Sequence, residues 1–177
     1  MQFLRDLLGL GSGARDARPE GETATVRKIV RELGELAPER ARFVACFAYL
    51  LSRVANADLE ISLDETRKME RIVQKFGDLP EEQAVLVVEI AKSQARLFGG
   101  TENFQVAREF KQLATPEQCE ELLHCLFAVS AADDSISGAE EQQVRLIADE
   151  LGLSHAQFVT VRSSYNDKRS ILQNLKD

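Results

Sequence analysis

The chain has 177 residues, 44% apolar and 29% charged, with 22 Lys and Arg against 29 Asp and Glu and a net charge of −7. Those values suit one globular domain, and the acidic balance argues against nucleic acid as a partner, because phosphates require clustered Lys and Arg. The three cysteines, Cys46, Cys119 and Cys125, are odd in number and lack framework spacing, which excludes a disulfide scaffold and points to a cytoplasmic protein.

Residues 1–10 read as a short amphipathic helix, with Phe3, Leu4, Leu7, Leu8 and Leu10 apolar. It is too short and too charged for a secretory signal. Residues 11–21 have no apolar period and read as a flexible linker. A sticky helix on a loose tether suits a partner groove or peripheral contact with the inner membrane through residues 2–10, or simply a frayed start. The remainder, 22–177, reads as a single helical domain.

Val26, Ile29, Val30 and Leu33 form one helical stripe, and Pro38 ends it. The next helix, about 38–55, is apolar on most faces and therefore central. Another follows Ser62 and stops at Gly77. Asp78-Leu79-Pro80-Glu81 combines a capping side chain, a first-turn Pro and a Glu, and it predicts a helix to about Phe98. A shorter helix spans about 102–114. Thr115-Pro116-Glu117-Gln118, Ser137 and Ser154-His155-Ala156-Gln157 mark three further starts, with Gly152 as a stop. The stretch after Asp167 adds a turn or two. No alternating run reads as a strand.

The sequence matches itself at an offset of 75 residues. Leu51, Val54, Ala57, Asp58, Ile61, Ser62, Glu65, Ile72 and Gly77 recur as Leu126, Val129, Ala132, Asp133, Ile136, Ser137, Glu140, Ile147 and Gly152. The unit is a buried helix, a short acidic loop and an amphipathic helix, over about 39–77 and 116–152. The expected architecture is an all-α bundle of about seven to eight helices, built from two repeats with pseudo-two-fold symmetry.

Each loop supplies an Asp, an Ile, a Ser and a Glu at fixed spacing. Ser62 to Glu65 and Ser137 to Glu140 are S-x-x-E capping boxes, which start many helices that bind nothing. The spacing of Asp133, Ile136 and Glu140 also copies the second half of a calcium-binding helix–loop–helix, although the first half is missing. Two half-sites converging across a pseudo-two-fold axis would gather Asp58, Glu60, Glu65, Asp133, Asp134 and Glu140. Carboxylates held that close repel, and a divalent cation (calcium, magnesium or zinc) relieves the repulsion. Both readings stand, since one carboxylate can cap while another binds.

Other chemistry is poorly supported. Glu121-Leu122-Leu123-His124 is an E-x-x-H, but di-iron bundles need two. Cys119 and His124 lie about 140° apart around one helix, too far to share a metal with Cys125. Between Glu117 and Gly152 there are nine acidic residues and one basic residue, Arg145. That segment is either a surface for a cation or basic partner or a solvated helix face.

A helix, the pattern Ala-Asp-x-x-Ile-Ser-x-x-Glu and a second helix, occurring twice, resemble the tellurite-resistance TerB family, which includes the related N-terminal domain of the DjlA co-chaperones. The resemblance covers about 39–165. Members usually show Ala-Asp-Gly in the loop; here the Gly position holds Leu59 in the first copy and Asp134 in the second. The resemblance implies a compact helical domain, acidic residues that bind a divalent cation, and a non-catalytic role in stress response or complex assembly. Asp58, Glu65, Asp133 and Glu140 carry over by the motif; Glu60 and Asp134 are added on charge alone. The alternative is a metal-free protein-interaction or co-chaperone-like domain, working through its acidic second half and N-terminal helix.

Overall fold

The structure, a computed structural model, describes residues 28–29, 31–55, 63–94 and 103–173, without the side chain of Glu65. The N-terminal segment 1–10, the linker 11–21 and the first acidic loop lie outside the described residues.

Residues 31–35 are helical, and Ile29 and Leu33 are buried as the stripe requires. Then come α1 (Pro38–Ser52), α2 (Leu63–Phe76), α3 (Glu81–Gln94), α4 (Asn103–Leu113) and α5 (Pro116–Ser130). A 3-10 turn at Ala131–Asp133 leads to α6 (Gly138–Leu151) and α7 (His155–Ser163). A second 3-10 turn, Asn166–Lys168, precedes the single-turn α8 (Ser170–Gln173). The fold is all-α, as expected from the helical periods, and the described residues contain no strand, only one isolated parallel bridge between Ile136 and Arg169.

The two nearly all-apolar helices are central. α1 buries an unbroken run from Phe43 to Leu51. α5 buries Leu122, Leu123, Cys125, Leu126 and Phe127. α1 packs on α3 and α4, and α5 packs on α6 and α7. α2 joins the groups by packing on both α3 and α5, and α4 joins them again through α6. Aromatic rings mark both centres. Phe43 and Phe110 lie 5.0 Å apart in the first. In the second, Phe127 stacks on Tyr165 at 5.4 Å and tilts against Phe158 at 5.8 Å. Cys46 is a core residue, and burial pushes its thiol up to about 12.

α6 repeats α2 at the 75-residue offset at both ends, and each has 14 residues. Their principal neighbours differ, however: α3 and α5 for α2, α4 and α5 for α6. The repeat-related glycines also differ. Gly152 takes φ +76° as the left-handed C-cap of α6, a conformation glycine adopts without steric cost. At Gly77 the constraint is space, because an added Cβ would meet the Val73 carbonyl oxygen at 2.6 Å and the Phe47 ring at 2.9 Å.

One start signal is displaced. Asp78 was expected to cap α3, but the helix opens at Glu81, and the Pro80 carbonyl accepts from the Ala84 amide at 2.9 Å. Asp78 instead turns the chain with φ 45°, a region that Asp and Asn tolerate better than most residues.

Gly77→Ala should cost about 1–3 kcal/mol through overpacking, and Gly152→Ala about 1–2 kcal/mol through its backbone. Asn at 152 should recover most of the loss, while Asn at 77 should worsen it, as read by denaturant unfolding.

Candidate functional site

The second acidic loop, 131–137, connects α5 to α6 and is described in full. Its shape follows from its one large apolar side chain. Ile136 is 1% exposed, flanked by Ser135 and Ser137. Burying Ile136 takes its amide and carbonyl away from water, and both need partners. The C-terminal segment provides them: the Ile136 amide donates to the Lys168 carbonyl at 2.7 Å, and the Ser170 amide donates to the Ile136 carbonyl at 3.0 Å.

Side chains reinforce this pairing. Arg169 donates from Nε and Nη2 to the two oxygens of Glu141, at 2.7 and 2.9 Å, in a bidentate fork. Arg162 Nη1 adds a third bond to Glu141 at 3.1 Å. Burial alone would raise the Glu141 pKa; the two guanidiniums outweigh it and hold the carboxyl below its ordinary value. Lys168 Nζ lies 2.7 Å from Asp134 Oδ1, and Gln173 Nε2 donates to the Asp134 carbonyl at 3.2 Å.

Three of the six candidate carboxylates can be placed here. Asp133 Oδ1 accepts from the Ser135 amide at 3.2 Å, closing a local turn. Asp134 has φ 70° and presents its carboxylate outward, with 84% of the side chain exposed. Glu140 belongs to a complete capping box: its Oε2 accepts from the Ser137 amide at 2.8 Å, while its own amide donates to Ser137 Oγ at 3.2 Å. Glu65 lies in the first turn of α2, and Asp58 and Glu60 fall outside the described residues. α2 does reach the second loop, where Lys68 Nζ donates to the Ala132 carbonyl. Among the described residues no three His, Cys, Asp or Glu side chains come together as a metal-holding group.

A family model, Tellurite resistance protein TerB, matches residues 43–163. The chain belongs to the TerB family. No curated protein and no solved structure matches it. The left-handed Asp134 now explains a TerB sequence feature: the usual Gly of the loop sits at this position, where the backbone turns through positive φ. Asp is one of the few other residues that visit this region.

The residues that sequence reasoning missed are Lys168, Arg169, Arg162, Gln173 and Lys68. Each acts on the loop or on Glu141 from a distant stretch of chain, which no local pattern encodes. The available signal was compositional: after the acidic stretch ending at Gly152, Arg162, Lys168 and Arg169 supply positive charge. The His124 ring packs near both Phe76 and Tyr165, with centroids 6.3 and 6.2 Å away, and burial lowers its pKa.

A carboxylate whose pKa is depressed on folding stabilises fully above its unfolded pKa, about 4.3 for Glu, and loses that contribution as pH falls through the folded value. Glu141→Gln should therefore cost about 1–3 kcal/mol at pH 7, a difference that shrinks steadily below about pH 4 in thermal or denaturant unfolding.

Proposed function

We propose that this chain is a non-catalytic scaffolding module of the tellurite-resistance stress response, working in the cytoplasm and binding a divalent cation weakly at its acidic loops. The observation that carries this reading is the pair Asp133 and Asp134, both exposed, the latter beside Lys168, on a loop whose backbone is already tied down by other groups. The loop keeps its shape through Ile136, the capping box and the C-terminal segment, so a cation is not needed to fold it. The donors are carboxylate oxygens, which suit calcium or magnesium better than zinc. Asp133 and Asp134 would contribute from the second copy, and Asp58, Glu60 and Glu65 from the first, while Glu140 remains on its cap. No helix among the described residues is long and apolar enough to cross a membrane. Peripheral membrane contact through residues 2–10 belongs to the same proposal, alongside a protein partner.

Calorimetric titration with calcium and magnesium tests the cation. A saturable heat with Kd of about 10⁻⁴–10⁻³ M is expected, lost in Asp58→Asn/Asp133→Asn. Absence of saturable heat at millimolar cation would remove the metal and leave the metal-free interaction module.

A further inference from the structure

The stretch from Asn166 to Gln173 is held without a hydrophobic anchor. Neither its 3-10 turn nor α8 buries a residue. Its attachments are polar: the main-chain pair at Ile136, the Arg169 fork on Glu141, and Lys168 on Asp134. Arg169 is extended, with φ −75° and ψ 118°. The main-chain pair makes no demand on sequence, whereas the two carboxylates select basic side chains at two successive positions. The Glu141 side chain is only 14% exposed, so a guanidinium fork there is well shielded. Asp134 is largely exposed and adds orientation more than energy.

We propose that the second acidic loop is a docking slot for a short extended basic segment, filled in cis by Lys168, Arg169 and Ser170, and that an extended Lys-Arg segment of a partner protein takes the same place when the tail leaves. The recognition combines one main-chain bridge to the loop at Ile136 with two successive side chains read by charge. A segment that buries no apolar side chain opens locally without unfolding the core. The tether keeps the tail at an effective concentration of about millimolar, so casual basic peptides are excluded and a partner must outcompete it. This inference does not depend on cation binding.

The test uses the full chain in two forms, wild type and an opened variant, Lys168→Glu/Arg169→Glu. The probe is a fluorescent peptide with the sequence of residues 164–177, followed by anisotropy. The opened, cooperatively folded variant is expected to bind it at least about tenfold more tightly than wild type. That binding should be lost on adding Glu141→Gln, and lost for a peptide carrying Glu at both basic positions. A folded opened variant that ignores the peptide, or binds it regardless of Glu141, would overturn the proposal. Dimerisation through swapped tails without peptide binding would overturn the assignment of a heterologous partner. Hydrogen exchange on wild type gives an independent reading. The Ile136 and Ser170 amides should exchange at least about tenfold faster than those of α5; exchange only through global unfolding would also overturn it.

Discussion

A loop rich in Asp and Ser would ordinarily stay in water, but Ile136 is driven into the core, and the rest of the region follows from that burial. Its amide and carbonyl lose their hydration and have to be paired. The loop is too short to pair them itself, so the chain returns after α7 to do so. That return places Arg169 beside Glu141 and Lys168 beside Asp134. Burial of one branched side chain thus determines the backbone pairing, the ion pairs and the position of the C-terminal segment.

The same constraint reassigns the negative charge. Of the nine acidic residues between Glu117 and Gly152, Asp134, Glu141 and Glu150 are paired with Lys168, with Arg162 and Arg169, and with Arg53, and Glu140 is committed to a cap. Arg53 reaches Glu150 from the end of α1, so the acidic half is stitched to the first repeat as well as to the tail. Much of the concentrated charge is internal wiring; Asp133 and Asp134 are the exposed loop carboxylates, and Asp134 already carries Lys168. The repeated sequence unit is packed in two ways: α2 and α6 share length, offset and the neighbour α5, but α2 otherwise packs on α3 and α6 on α4, and Gly77 and Gly152 are constrained differently.

What was legible in the sequence was what is local. Thr115, Ser137 and Ser154 each precede a Gln or Glu by three residues, and each forms a complete capping box. The unbroken apolar run of α1 and the nearly all-apolar α5 announced central helices. Family membership was legible in the loop motif. Asp78 misled because the pattern for a cap tolerates a shift of two residues, and the chain used its tolerance of positive φ instead. The tail contact was illegible because a single bridge between Ile136 and Arg169 has no period, and a salt bridge spanning 28 residues has no spacing rule. Asp58 and Glu60 remain sequence expectations, since the first loop lies outside the described residues.

The dependence of the second loop on the tail is tested most directly by a double-mutant cycle between Glu141 and Arg169, using Glu141→Gln, Arg169→Gln and the pair, with unfolding free energies measured at pH 7 and low salt. A shielded bidentate pair should show a coupling energy of about 1–3 kcal/mol. A coupling within about 0.3 kcal/mol of zero would mean that the tail merely lies on the loop, and would contradict the idea that it holds the loop in place.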